Sequence, residues 1–274
     1  MQYCVYKLGD IFPQLKTGVF EPILTSYCPD NTPEVDPDRK FPSIVICPGG
    51  GYEFTSDREA EPVALNFAAS GYNTFVLRYS LAPARYPQAL LELSAAMAFV
   101  RRHAEEFHVD PEQIAVCGFS AGGHLACSLG TLWQEPFIAE TLKLAAGENR
   151  PNAMILCYPV ISSGIFAHRG SFDNLLGTDA PAGLLEKTSL EKQVGPGTPP
   201  AFIWHTFDDD VVPVQNALLL AQALRDHNVP FELHIFPHGA HGLSLCDSRT
   251  DTDTADFLPS PKCSVWTTLC KAWL

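Results

Sequence analysis

Gln113-Ile114-Ala115-Val116-Cys117-Gly118-Phe119-Ser120-Ala121-Gly122-Gly123-His124 is the stretch on which the fold turns. Its first half is an apolar, partly β-branched run, which reads as a buried strand. Leu125 to Leu132 can continue as a helix, so the intervening Gly-x-Ser-x-Gly sits on a strand-to-helix turn. A nucleophile on so sharp a turn takes a strained backbone and leaves no room for neighbouring side chains. Small residues two before and two after it therefore let the Ser120 hydroxyl project. A strand-to-helix turn that uses glycine for geometry alone has the same spelling, so the reading needs partners elsewhere in the chain.

Outward from this turn, short apolar runs alternate with longer helical patterns from about residue 43 onward, the βα rhythm of a parallel sheet. Strands are expected at Ser43 to Cys47, Asn73 to Arg78, Gln113 to Gly118, Ala153 to Tyr158, Ala201 to His205 and Phe231 to Phe236. They are apolar almost throughout, as strands covered by helices on both faces should be. Cys4 to Leu8 and Val19 to Ser26 are expected to add antiparallel edge strands, giving a mostly parallel eight-stranded α/β sheet. Leu90, Leu93, Met97 and Val100 form a helical stripe, and Val214 to Asp226 reads as a second helix with Ala217, Leu218, Ala221 and Leu224 inward. Val265 to Leu274 closes the chain as a short helix. Pro29 to Phe41 reads as a surface turn, and residues 160–200 are too long for a plain connection, which points to a lid or binding-loop insertion. At 274 residues, 46% hydrophobic and 18% charged, the chain is expected to be one packed domain.

The formal net charge of −13 speaks against nucleic acid and anionic membrane as partners. No run approaches the ~18 apolar residues of a bilayer-spanning helix. The first ten residues lack the basic start, apolar stretch and cleavage site of a secretory signal. Nine cysteines, an odd number with no CxxC pair, argue against a disulfide scaffold and a zinc site, and with the missing signal imply a cytoplasmic setting.

Three partners for Ser120 then emerge. Cys47-Pro48-Gly49-Gly50-Gly51-Tyr52 follows a strand, and a glycine run there lets backbone N–H groups approach a developing oxyanion; Gly50, Gly51 and Ala121 are the expected donors. A phosphate-binding turn is the competing reading, but neither a GxGxxG pattern nor a following lysine is present. Asp208-Asp209-Asp210 follows the strand Ala201 to His205, where a carboxylate can orient an imidazole. His238-Gly239-Ala240-His241-Gly242 follows the strand Phe231 to Phe236 and supplies that imidazole as His241. Loop histidines without helical spacing make a poor metal clamp, so no metal and no cofactor are expected.

Taken together, Pro48-Gly49-Gly50-Gly51-Tyr52, Leu77-Arg78-Tyr79-Ser80-Leu81-Ala82-Pro83 with Tyr86-Pro87, the Ser120 turn, Trp204-His205-Thr206 through Val212-Pro213, and His238 to Gly242 make the chain recognisable. It resembles the bacterial α/β-hydrolase esterases known as acetyl, acetylxylan or feruloyl-esterase-like enzymes over about residues 42–245. The chain order Ser, Asp, His agrees with that fold. The resemblance implies Ser120 as nucleophile, His241 as base, and Gly50, Gly51 and Ala121 as oxyanion donors. Pro48 stands where lipase-type relatives carry the histidine of HGGG, so the anchoring of that loop must differ. In peptidase relatives Asp-Asp-x-Val uses its first Asp, which maps onto Asp208; Asp208 is therefore the expected acid, with Asp209 the alternative. Tyr52, Tyr79, Trp204 and His238 flank the motifs and are candidate substrate contacts. The implied reaction is hydrolysis of a small ester, foremost an acetylated sugar or xylo-oligosaccharide, with self-association left open. A prolyl-oligopeptidase-like peptidase or an arylformamidase is the same-chemistry alternative. A non-catalytic binder would need a damaged triad.

Overall fold

The eight strands are β1 Gln2–Lys7, β2 Ile23–Cys28, β3 Phe41–Cys47, β4 Asn73–Arg78, β5 Val109–Phe119, β6 Ala153–Cys157, β7 Ala201–Thr206 and β8 Phe231–Phe236. They form one sheet in the order β1-β2-β4-β3-β5-β6-β7-β8. β2 runs antiparallel to both β1 and β4, and all other pairs are parallel. This is the α/β-hydrolase fold. The computed structural model describes residues 1–251 and 262–274.

The central strands are apolar over most of their length because each feeds two cores. Val45 and Cys47 of β3, Ile114 and Val116 of β5, and Ala201 and Ile203 of β7 pack into the layer on one face. Their neighbours Ile44, Ile46, Ala115, Cys117, Phe202 and Trp204 pack into the layer on the other. The period-2 pleat thus divides an unbroken hydrophobic run between the faces. Two strand starts shift by four residues. β2 starts at Ile23 instead of Val19, and β5 extends back to Val109, where it pairs with Phe41 across a register irregularity.

The helices are α1 Leu8–Ile11, α2 Glu61–Ala68, α3 Gln88–Arg102, α4 Ala121–Leu132, α5 Pro136–Leu142, α6 Arg169–Leu176, α7 Ala182–Lys187, α8 Gln215–Asp226 and α9 Trp266–Trp273. α3 is expected to be amphipathic, yet every residue from Ala89 to Val100 is buried. Leu8, Phe12 and Leu15, from α1 and the short 3-10 turn after it, join the same hydrophobic layer and take that helix out of water. On α8 the buried apolar set is Ala217, Leu220, Ala221 and Leu224, the i, i+3, i+4, i+7 positions; Leu218 is 47% exposed, contrary to expectation, because it lies off that stripe. Asn228, in the left-handed conformation, ends the segment. Residues 160–200 fold as α6, α7 and a 3-10 turn at Leu190–Lys192. Asn216 of α8 ties this segment down, accepting from the N–H groups of Ile161 and Ser162 and donating to the Phe166 carbonyl, all at 2.9 Å.

Candidate active site

Ser120 sits between β5 and α4 with φ 52° and ψ −118°, a conformation costly for a residue with a side chain. The fold holds it there. Its N–H donates to the Cys157 carbonyl at 3.0 Å, and its own carbonyl accepts from Val160 at 3.1 Å and His124 at 3.0 Å. The flanking glycines are required by close approach. A Cβ on Gly118 would stand 2.1 Å from the Gly122 carbonyl oxygen, and one on Gly122 would stand 2.1 Å from the Cys47 carbonyl oxygen.

The Ser120 hydroxyl reaches His241 Nε2 at 2.7 Å, and His241 Nδ1 reaches Asp209 Oδ2 at 2.7 Å. An ionised carboxylate only accepts, so the imidazole proton is on Nδ1 and Nε2 accepts from the Ser120 O–H. The carboxylate at His241 is therefore Asp209 and not Asp208, which corrects the sequence expectation. The turn after β7 folds Asp209 inward, where its Oδ1 accepts the N–H groups of Val211 at 3.0 Å and Val212 at 2.8 Å. Asp208 points outward and braces the histidine loop from the surface, accepting from His238 Nδ1 at 2.9 Å and the Gly239 N–H at 2.7 Å. Burial pushes the Asp209 carboxyl up, but hydrogen bonds from His205, His241 and the Val212 N–H outweigh it and hold it well below the usual range. His238 and His241 thus serve different carboxylates and do not converge on a common point.

Gly50 and Gly51 line the cleft that opens over Ser120, and among the described residues neither N–H has an acceptor. Ala121 begins α4, where a first-turn N–H has no partner within the helix. The glycine loop is held from below. The Tyr79 hydroxyl donates to the Pro48 carbonyl at 2.6 Å, and the Gly49 N–H donates to Glu59 at 2.7 Å. The other oxygen of Glu59 accepts from the Tyr158 hydroxyl at 2.6 Å, and that hydroxyl accepts the Ser244 N–H at 2.9 Å. A single buried carboxylate therefore links the glycine loop to the loop that carries His241. Burial raises the Glu59 pKa, against the opposing hydrogen bonds from Tyr158 and Gly49.

None of the four candidate substrate contacts lines the cleft. Tyr52 is buried, and its hydroxyl meets His124 Nδ1 at 2.9 Å, while His124 Nε2 donates to the Thr188 carbonyl at 2.9 Å. Tyr79 is buried beneath Pro48, as above. Trp204 is buried and stacked on Trp266, with ring centroids 5.5 Å apart. His238 stands in solvent with Asp208. Standing next to a motif in sequence did not turn these side chains toward the site. The cleft itself, about 610 Å³, is walled by Phe54, His168 and Asn174, which carry no motif signature, and by Val211 of the Asp-Asp-x-Val turn. A larger groove of about 820 Å³ beside α2 shares no lining residue with it.

A Ser-His-Asp chain on the loops at one edge of this sheet, its serine on a strand–turn–helix elbow, is the arrangement of an α/β-hydrolase. The chain belongs to the BD-FAE family, whose model matches residues 31–224. It is 38% identical over 216 residues to endo-1,4-beta-xylanase B of Butyrivibrio fibrisolvens, covering 77% of this chain and 34% of that one. It is 32% identical over 209 residues to an acetylxylan esterase of Xylanibacter ruminicola, covering 74% and 41%. The chain therefore spans less than half the length of either relative. Among solved structures it is similar to an acetyl ester-xyloside bifunctional hydrolase from Caldicellulosiruptor lactoaceticus, with a TM-score of 0.84 and 38% identity over 98% of this chain and 94% of that one.

Proposed function

We propose that this chain is a serine carboxylic ester hydrolase that removes short acyl groups, acetyl foremost, from sugars or xylo-oligosaccharides. The observation that carries the reading is the unbroken hydrogen-bond chain Ser120–His241–Asp209 beneath a cleft rimmed by N–H groups that have no acceptor among the described residues. Ser120 Oγ attacks the ester carbonyl carbon while His241 Nε2 takes its proton, and Asp209 stabilises the imidazolium. The N–H groups of Gly50, Gly51 and Ala121 hold the oxyanion. His241 then returns the proton to the departing alcohol oxygen, leaving an acyl-Ser120 ester. Water enters, loses its proton to His241, attacks that ester, and the acid leaves as Ser120 is regenerated. No step requires a cofactor.

The preference for acetyl and for a sugar alcohol is supported by kinship with an acetylxylan esterase and an acetyl ester-xyloside hydrolase. A cytoplasmic setting belongs to the same proposal, supported by nine cysteines without a disulfide among the described residues. Among those residues no helix is long and apolar enough to cross a membrane. A kinetic series of p-nitrophenyl acetate, butyrate and octanoate, acetylated xylobiose and an aminoacyl nitroanilide tests the reading. Acetyl substrates should give the highest kcat/KM, and Ser120→Ala should lose about 10⁴-fold or more. The anilide as best substrate would make the chain a peptidase.

A further inference from the structure

We propose that the face of α6 toward the cleft is a subsite for a neutral sugar, in which His168 and Asn174 hydrogen-bond its hydroxyl groups and Phe54 packs against its apolar face. The inference rests on the ester-hydrolase reading and names the alcohol side of that substrate. His168, Ser171 and Asn174 follow at three-residue intervals, the spacing that places side chains along one helix face. That face meets the glycine loop: Asn174 Nδ2 donates to the Gly51 carbonyl at 2.9 Å, and Ser171 Oγ lies 3.9 Å from where a Cβ on Gly51 would stand.

Each of the two polar side chains keeps one function in reserve. Because Asn174 Nδ2 must donate to a carbonyl, the amide orientation is settled, and Oδ1 remains an acceptor with no partner among the described residues. His168 Nδ1 is occupied by Ser171 Oγ at 2.8 Å, and Nε2 has no partner among those residues. Both side chains are half-buried and line the cavity that contains Ser120 and His241. A sugar hydroxyl both donates and accepts, so an amide oxygen and an imidazole nitrogen suit it. Burial lowers the His168 pKa, and the nearby His241 lowers it further, so the ring is neutral and is no anchor for an anion.

The remaining walls add an apolar surface. Phe54, 58% exposed, sits on the turn in which its N–H donates to the Gly50 carbonyl at 3.1 Å, and it faces the cleft with Val211. A large exposed aromatic ring beside uncommitted polar groups is the composition of a small-ligand site. Glu53, Arg58 and Glu59 also line the cavity, and the guanidinium of Arg58 donates to the Gly242 and Thr250 carbonyls.

The test is the ratio of kcat/KM for acetylated xylobiose to that for p-nitrophenyl acetate, whose alcohol bears no sugar hydroxyl. His168→Phe keeps the ring volume and removes the hydrogen bond; it should lower the ratio about tenfold, through KM. Phe54→Ala should lower it in the same direction, and His168→Gln should recover part of the loss. Free xylobiose should inhibit hydrolysis of p-nitrophenyl acetate competitively, with an inhibition constant raised about tenfold in His168→Phe. An unchanged ratio and inhibition constant in His168→Phe would overturn the subsite while leaving the esterase intact. If the unaltered protein hydrolyses neither ester, the esterase reading itself fails, and the subsite with it.

Discussion

Asp209 has no spare capacity: one oxygen holds the Val211 and Val212 N–H groups, the other holds His241, and His205 Nε2 lies 3.3 Å away. An amide at this position would offer His241 a mixed donor and acceptor and upset the imidazole tautomer that leaves Nε2 free to accept from Ser120. Asp209→Asn should therefore lower kcat on p-nitrophenyl acetate about 10⁴-fold. Asp208→Asn, altering a surface brace, should stay within about threefold; the reverse ranking would reinstate Asp208 as the acid. The triad was legible unequally. Ser120 and His241 were readable because glycines and strand ends surround them in a pattern that few other arrangements require. Three consecutive aspartates on a turn differ only in side-chain direction, and that is decided by which of them the N–H groups of Val211 and Val212 can reach. The same limit applies to Tyr52, Tyr79, Trp204 and His238, whose side-chain directions the neighbouring motifs do not determine. Glu59 and His168 carried no signal at all, since Arg58-Glu59-Ala60-Glu61 has the composition of a solvated face.

The glycine loop is an element without regular structure, and its position depends on what grips it. Tyr79 holds Pro48, Glu59 holds Gly49, and Asn174 holds Gly51. Glu59→Ala frees the loop and leaves Tyr158 without its acceptor, so kcat/KM should fall about 100-fold, the scale of an ångström of misplacement at a reacting centre. Glu59→Gln, which can still accept from Gly49, should recover much of that loss; activity within twofold in Glu59→Ala would show that the clamp is idle. A second tie runs from the same loop through Tyr52 and His124 to Thr188 of the 160–200 segment, and it is sensitive to pH. Burial lowers the His124 pKa from 6.5 to about 4, against the Thr188 carbonyl that favours the charged ring. Between those values the unfolded chain binds a proton that the folded one does not. His124 therefore costs nothing above about pH 6.5, and stability is lost as pH falls toward 4, by about 3 kcal/mol. Urea unfolding at pH 7 and pH 4.5 checks this: His124→Gln should lose less stability on acidification than the unaltered protein, and equal losses would contradict it.

At the scale of the molecule, the sheet separates two hydrophobic layers, and the active-site loops all leave its C-terminal edge. The alternation of strand and helix was plain in the sequence because parallel strands must be apolar on both faces. That α3 is buried on every side was not, because its outer cover comes from Leu8, Phe12 and Leu15, some eighty residues earlier in the chain. Leu93→Ala within α3 should cost about 2–5 kcal/mol in urea unfolding, while Leu218→Ala on the open face of α8 should cost under about 1 kcal/mol. Equal costs would contradict the burial assigned to these helices. The central claim is that this scaffold activates one serine. Its most direct test is stoichiometric labelling with a fluorophosphonate followed by peptide mass mapping. One equivalent on the peptide bearing Ser120, absent in Ser120→Ala and greatly slowed in Asp209→Asn, is the expected result; no label, or label on another residue, would contradict the account.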